Sequence, residues 1–309
     1  MTGLRVEQKL AGMRFPLSLF ALLVVFQGNA AQYQKPYGQL KAEQKFKDYT
    51  VRIYRDELGT AEKAPSMACF EILLSGKQIY FQTGNEFEIG NSGNGDITNR
   101  LIEIGHSITS DKTPNLVIKD WSGGAHCCYR FFIFQIGATF KFIDSIDLQD
   151  GVDSDFKDLR RDGNLELVIQ DWTFRYWNAG FSDSFAPEVI LRYWSGKYRP
   201  DLELMKKPAP TQQELEKMVG EIKPLFGSKE MRDDLNNKLQ VPPLLWGRML
   251  ELIYTGNMSA AWRLCDLSWP ANHPGKSIFL KEFTKQLQTS QYYKEINQAS
   301  FQGMANQKS

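Results

Sequence analysis

The sequence contains little histidine, little cysteine and almost no excess of charge of either sign. Its 309 residues include 3 histidines and 4 cysteines. A zinc or copper site needs three or four such ligands that converge, so these metals have few candidate ligands here. The 37 basic and 36 acidic side chains leave a net charge of +1, and no basic run is present. Because proteins that bind nucleic acid present a basic patch, we do not expect a nucleic acid as the partner.

An apolar run long enough to cross a membrane is also lacking. The apolar stretch from Phe15 to Phe26 spans about 12 residues, whereas a membrane helix needs roughly 20. Basic residues precede this stretch and the small residues Gly28-Asn29-Ala30-Ala31 follow it, which is typical of a cleaved export signal. We predict cleavage near Ala30 and Ala31, a mature chain without a transmembrane segment, and a periplasmic or secreted location. A short anchor that stays uncleaved is the alternative.

The rest of the chain divides into a β-rich part and a helical part. From Tyr49 to about Tyr198, aromatic and β-branched residues form short runs between Gly, Asn and Asp, which predicts β-sheet. After Pro208 the periodicity becomes helical, beginning with a capping-box pattern at Thr211-Gln-Gln-Glu214. We therefore predict the α+β class, with an export signal at 1–31, a β-repeat domain at 32–206 and a helical domain at 207–309 that forms a small bundle.

One segment of the β-rich part occurs twice. Residues 111–121 read DKTPNLVIKDW and residues 162–172 read DGNLELVIQDW. A self-match at a fixed offset indicates repeat architecture, and each copy predicts an Asp-led turn, a buried strand and a polar exit. Three hairpin-like units, with glycines at Gly76, Gly137 and Gly196, extend the pattern. Glycine at each of these turns suits a tight link with a positive φ angle.

The second copy also resembles a known repeat family. Asp158-Leu-Arg-Arg-Asp162-Gly163-Asn-Leu-Glu166-Leu-Val-Ile is similar to the Asp-x-Asp-x-Asp-Gly-x-x-Glu-Leu-Val pattern of FG-GAP or VCBS β-propeller repeats, with Arg160 in place of the middle Asp. The resemblance covers roughly residues 100 to 200, and residues 121–128 are similar to a segment of exported bacterial proteins that carry such repeats. It implies propeller-blade-like units. Since about three units fit and a closed propeller needs at least four, we expect a partial, curved or merged sheet.

The segment His126-Cys127-Cys128 is the sharpest local feature. An exported chain meets an oxidising environment, so we expect disulfides here. The candidates are all the cysteines of the chain: Cys69, Cys127, Cys128 and Cys265. A bond from Cys69 to Cys127 or Cys128 is favoured, and a bond between Cys127 and Cys128 is the least expected structural option. The alternatives are a zinc or copper site, or a catalytic thiol in an enzyme built on Asp120, His126 and Cys127.

A run of aspartates between Asp147 and Asp162 is a second candidate site. Carboxylate oxygens suit a hard cation such as Ca²⁺, and the family resemblance implies Asp158 and Asp162 as its ligands. Arg160 then places a positive charge where a third ligand is expected. The alternative is a solvated turn whose Asp side chains accept hydrogen bonds from backbone amides.

A concentration of aromatic residues follows the second copy. We predict that Trp172, Tyr176 and Trp177 form a platform for a sugar ring or an extended peptide, because the long connection after Trp172 is of the kind that carries function. The alternative is that these rings pack in the core, as most aromatic side chains of β-domains do.

No segment matches a strong catalytic motif, so the leading hypothesis is an exported, non-enzymatic binding or scaffold protein. Its partner would be a protein or an envelope glycan, and it would need no cofactor except calcium if the Asp158 and Asp162 turn binds it. The alternative is a metal- or thiol-dependent envelope enzyme centred on His126-Cys127-Cys128. A third hypothesis makes the β-rich part a scaffold that presents the helices to a protein partner.

Overall fold

Three antiparallel sheets of four strands each dominate the part of the chain that the structure describes. The structure is a computed structural model that describes residues 38–55, 67–89, 102–109, 111–124, 127–151 and 154–298. The predicted export signal at 1–31 and His126 lie outside these ranges.

Each sheet is a meander of consecutive strands. Sheet 1 contains β1 (Gln39–Phe46), β2 (Tyr49–Arg55), β3 (Ala68–Leu74) and β4 (Lys77–Gly84). Sheet 2 contains β5 (Glu86–Ile89), β6 (Asn115–Trp121), β7 (Tyr129–Ile136) and β8 (Phe140–Gln149). Sheet 3 contains β9 (Asp155–Lys157), β10 (Glu166–Gln170), β11 (Glu188–Trp194) and β12 (Lys197–Pro200). The strands of these described residues do not close into a propeller, and the chain is β-rich and of mixed α+β composition, as predicted.

Helices follow the last strand. They are α1 (Leu202–Met205), α2 (Gln212–Ile222), α3 (Lys229–Asp233), α4 (Pro243–Tyr254), α5 (Met258–Ser268) and α6 (Lys276–Leu287). The capping box predicted at the start of α2 is present: the Thr211 hydroxyl accepts from the Glu214 amide, and the Glu214 carboxylate accepts from the Thr211 amide. Within the ranges that the structure describes, no helix combines the length and the apolar character that a membrane span requires.

The duplicated segment forms the second strand of two successive sheets, β6 in sheet 2 and β10 in sheet 3. The side chains of Leu116, Val117 and Ile118 in β6 are all buried. A strand needs an unbroken apolar run only when both of its faces are covered. The Leu-Val-Ile run of β6 fits a strand with both faces covered, whereas in β10 Leu167 and Ile169 are buried and Val168 is only partly buried.

Sheet 2 lies between two hydrophobic clusters. Leu116 and Phe132 point into the first cluster, which joins sheet 2 to sheet 1. Val117 and Phe131, their chain neighbours, point into the second cluster, which joins sheet 2 to sheet 3 and the helices. Alternation along a strand accounts for this division. The core of the protein thus runs from sheet 1 through sheet 3 into the helices.

Two of the three predicted glycine turns have the expected backbone. Ser75-Gly76 and Ser195-Gly196 have positive φ at both residues, the geometry that matches the twist of a two-residue hairpin. The prediction was wrong for Gly137, because the link between β7 and β8 spans residues 137–139 and Gly137 has no positive φ. A longer link reverses the chain without a left-handed glycine at that position.

Candidate functional site

An open groove of about 270 Å³ lies at the edge of sheet 3, between β11, β12, α1 and the segment after α6. Charged side chains and one indole supply most of its lining. They include Arg160, Arg192, Trp194, Arg199, Glu203 and Glu295.

The register of the β11–β12 hairpin places two arginines side by side. The Ser195-Gly196 turn pairs Trp194 with Lys197, and two residues further along it pairs Arg192 directly with Arg199. Between these pairs, Tyr193 and Tyr198 pack against the core, so Arg192, Trp194 and Arg199 share the outward face. Like charges directly opposite each other destabilise a sheet, so this pair works against the stability of the hairpin.

The two arginines have unequal partners. Arg199 Nη1 lies 3.8 Å from Glu295 Oε1, which is a weak and exposed ion pair. The guanidinium of Arg192 lies over the Trp194 ring, 5.7 Å from its centroid. Its charge helps to lower the pKa of the Asp162 carboxyl, but no described residue forms an ion pair with it. The indole of Trp194 is 60 % exposed. Arg192 and Trp194 together therefore present a cation and an open aromatic face to solvent.

Arg160 is held differently, inside a network of carboxylates. Its Nη2 lies 2.6 Å from Asp201 Oδ2 and 3.3 Å from Glu203 Oε2, and its Nε lies 3.7 Å from Glu166 Oε1. The hydrogen bond to Asp201 raises the pKa of Arg160. Because Glu166 and Asp201 are buried, each needs a cation or hydrogen-bond donors close by. Arg160 is thus a fixed part of the groove, whereas Arg192 is not engaged in such a network.

The carboxylates of the aspartate turn accept hydrogen bonds from backbone amides of the turn itself, and calcium binding there stays a prediction. The Asp158 carboxylate accepts from the amides of Asp162, at 3.0 Å, and Gly163, at 3.1 Å, and Asp162 Oδ1 accepts from the Asn164 amide at 2.9 Å. The backbone amide of Asn164 is the main cause of the lowered pKa of Asp162, and the charges of Arg192 and then Arg160 contribute in the same direction. Carboxylates that cap a turn beside a guanidinium are the alternative that the sequence left open.

The cysteines pair differently from the favoured prediction. A disulfide joins Cys127 to Cys128, and Cys69 and Cys265 are not disulfide-bonded. Cys69 lies on β3 between Ala68 and Phe70, whose side chains face the first cluster, so Cys69 points away from sheet 2. Cys127 and Cys128 precede β7, which begins at Tyr129, so strand alternation does not separate their side chains.

The residues of the alternative enzyme hypothesis do not come together as a described site. Asp120 is the penultimate residue of β6 and pairs with Arg130. Burial raises the pKa of the Asp120 carboxyl, although Arg130 lowers it in part. Cys127 has no thiol to ionise while it is bonded to Cys128. Among the described residues, no group of three or more His, Cys, Asp and Glu side chains is placed to hold a metal ion.

The predicted aromatic platform is divided between surface and core. Trp172 stacks on Phe181 with ring centroids 5.3 Å apart, and Tyr176, which is 55 % exposed, lies 5.5 Å from the same ring. Trp177 instead packs edge-on against Trp246 at 5.6 Å. Trp177 therefore contributes to packing between the strands and the helices, while ligand binding at Trp172 and Tyr176 stays a prediction.

The sequence contains one signal that leads to the groove. In a two-residue hairpin at Ser195-Gly196, the residues three positions before and after the turn face each other, which pairs Arg192 with Arg199. Nothing local indicates that Arg160 and Glu295 join them. Comparisons with protein-family models, with curated proteins and with solved structures found no significant match.

Proposed function

We propose that this protein is an exported, non-enzymatic binding protein whose groove at the edge of sheet 3 binds an acidic glycan. The observation that carries the proposal is the direct pairing of Arg192 with Arg199 beside the exposed ring of Trp194. Positions where a chain departs from local stability rules concentrate at functional sites. A ligand with an anionic group would relieve the repulsion between the two guanidinium groups.

The other groove residues favour a sugar acid over a purely anionic ligand. The apolar face of a sugar ring can stack on Trp194, as rings do on exposed indoles. Glu203 and Glu295 can accept hydrogen bonds from sugar hydroxyls, while they would repel a ligand that carries only carboxylates. A groove of about 270 Å³ is at the small end of ligand pockets, which suits one or two rings better than the face of a protein.

The repeat resemblance and the fold support the same proposal. Three consecutive four-stranded meanders support blade-like units of the FG-GAP or VCBS type. We interpret residues 207–309 as a small helical bundle that packs against the last unit. The basic, apolar and small-residue pattern of residues 1–31 supports export to the periplasm or beyond, where an envelope glycan would be met.

Calorimetric titration with a uronic-acid disaccharide tests the proposal. We expect binding by the unmodified protein, and affinity about 5- to 30-fold weaker for Trp194→Ala and for Arg192→Ala, since each contact is worth about 1–2 kcal/mol. Tyr176→Ala removes a similarly exposed ring of the alternative aromatic platform, outside the groove, and should leave the affinity unchanged if the sugar binds at Trp194. The neutral disaccharide should bind more weakly than the acidic one.

Three results would contradict the proposal. The acidic disaccharide could fail to bind, Tyr176→Ala could weaken binding as much as Trp194→Ala does, or the neutral disaccharide could bind as tightly as the acidic one. An acidic peptide that binds at Trp194 in place of the sugar would make the partner a protein. Thermal unfolding of each variant verifies that the exposed substitutions leave the fold intact.

A further inference from the structure

We propose that the Cys127–Cys128 bond is a reversible redox site that controls the local conformation around Trp121 and Ser122. It contributes little to the stability of the whole fold. A disulfide stabilises a protein mainly by closing a loop of the unfolded chain, and the stabilisation grows with the length of that loop. A bond between neighbouring residues closes the shortest loop that a chain allows. Its contribution to global stability is therefore minimal, and its effect is local.

Ser122 forms three hydrogen bonds with the backbone of Cys127 and Cys128. The Ser122 amide donates to the Cys128 carbonyl at 3.0 Å, the Ser122 hydroxyl donates to the Cys127 carbonyl at 2.7 Å, and the Cys128 amide donates to the Ser122 hydroxyl at 2.5 Å. Ser122 thus binds the peptide that the disulfide constrains. A change in the bond acts first on these three hydrogen bonds.

The contacts extend from Ser122 to an aromatic pair. Trp121 donates from Nε1 to the Gly124 carbonyl at 3.1 Å, and its ring stacks on that of Tyr129 with centroids 6.3 Å apart. Asn85 donates to the Ser122 carbonyl at 2.5 Å, which ties the segment to the end of sheet 1. The bonded cysteines are therefore connected, through Ser122, to side chains of sheet 2 and to the link between sheets 1 and 2.

Accessibility separates the two pairs of cysteines. Cys127 and Cys128 are partly exposed, whereas Cys69 is 0 % and Cys265 is 1 % exposed. Burial raises the pKa of the Cys265 thiol to about 11, so it is almost entirely protonated at neutral pH and is a poor nucleophile. Neither buried thiol is placed to exchange with the bond, which leaves an external dithiol as the reaction partner.

The exchange is a two-electron step. A thiolate of the dithiol attacks one sulfur, the bond between Cys127 and Cys128 breaks, and a mixed disulfide forms between the reagent and the protein. The second thiolate of the reagent then attacks the reagent's sulfur in this mixed disulfide and releases the cysteine as a thiolate. Cys127 and Cys128 gain two electrons and two protons and become thiols. The dithiol becomes a disulfide, so no other oxidant or reductant is needed.

Thiol labelling and amide hydrogen exchange on the full-length protein test the proposal. After native treatment with dithiothreitol, we expect iodoacetamide to label Cys127 and Cys128 and to spare Cys69 and Cys265 until the protein is denatured. Hydrogen exchange at the Ser122 and Cys128 amides should accelerate by about tenfold on reduction. The melting temperature should change by no more than about 2 °C.

The double variant Cys127→Ser/Cys128→Ser is the matched control, because it should reproduce the exchange of the reduced protein without reductant. Cys265→Ala should leave labelling and exchange at Cys127 and Cys128 unchanged. The proposal is overturned if native reductant leaves the pair unlabelled, if all four cysteines are labelled together, or if the two amides exchange at the same rate in both states. A large fall in melting temperature on reduction would overturn it as well, since the bond would then stabilise the whole fold.

Discussion

Asp120 and Asp171 occupy the same position in the two copies of the duplicated segment and have different surroundings. Asp171 is 2 % exposed. Its carboxylate accepts from the Thr173 amide at 2.9 Å and from the hydroxyls of Tyr254 and Ser290 at 2.5 Å each. For Asp120, the described part of the chain offers no hydrogen-bond partner to Oδ1. The aspartate thus connects distant elements in the second copy, whereas in the first copy one of its carboxylate oxygens is buried without a described hydrogen-bond donor.

Replacing each carboxylate by alanine should reveal this difference in the free energy of unfolding. Asp171→Ala leaves the hydroxyls of Tyr254 and Ser290 buried without their acceptor, and we expect a loss of about 3 kcal/mol. Burial raises the pKa of Asp120, so its ionised form is disfavoured in the fold, and Asp120→Ala should change stability by less than about 1 kcal/mol. Urea denaturation measures both. Equal losses would show that the two positions are equivalent after all.

At the level of the element, the β11–β12 hairpin determines both the stability of sheet 3 and the positions of the groove arginines. Its two-residue turn requires positive φ at Ser195 and at Gly196, where φ is 90°. This turn sets the register that places Arg192 opposite Arg199. A change in the turn should therefore affect both the stability of sheet 3 and the position of the groove arginines.

Two glycine substitutions separate a required glycine from a dispensable one. Gly196→Ala forces a side chain into the left-handed region and should destabilise the protein by about 1–2 kcal/mol. Gly220 lies in α2, is exposed and has no atom within 4 Å of an added Cβ, so Gly220→Ala should stabilise by up to about 1 kcal/mol. Thermal and urea unfolding of the two variants give the comparison. A stabilising Gly196→Ala would refute the role of that turn.

At the level of the whole molecule, strands and helices share one hydrophobic cluster. Phe174, just after β10, lies 5.8 Å from Trp246 of α4 and 5.3 Å from Phe283 of α6, measured between ring centroids. All three rings are fully buried. The predicted boundary between 206 and 207 follows the short helix α1, and the hydrophobic core crosses it.

Removing residues 207–309 should consequently unfold sheet 3. Exposing one large apolar side chain costs about 1.5–3 kcal/mol of burial free energy. Several such losses together exceed the free energy of unfolding of a typical protein, about 5–15 kcal/mol. Sheets 1 and 2 keep their own hydrophobic cluster, so we expect the fragment 32–206 to melt at a lower temperature than the chain 32–309 and with a smaller change in near-ultraviolet circular dichroism. A fragment that melts cooperatively at the temperature of the longer chain would show that the β-rich part folds alone.

The sequence by itself determined the local elements: the buried repeat strands, the hairpins at Gly76 and Gly196, and the capped start of α2. These features depend on residues a few positions apart, whose periodicity and backbone preferences are readable in the chain. The resemblance to propeller repeats and the export signal stay predictions. The sequence also suggested that cysteines near position 127 would be oxidised.

Only the tertiary structure decided which cysteines are bonded and which charged residues share a groove. Cys69 was expected to reach Cys127 or Cys128, but it points to the other face of its strand, and the bond forms between neighbours. The groove joins Arg160, Arg199 and Glu295, and Asp171 contacts Tyr254 and Ser290. Such contacts depend on how sheets and helices pack, because packing, not chain proximity, sets the distance between residues far apart in sequence.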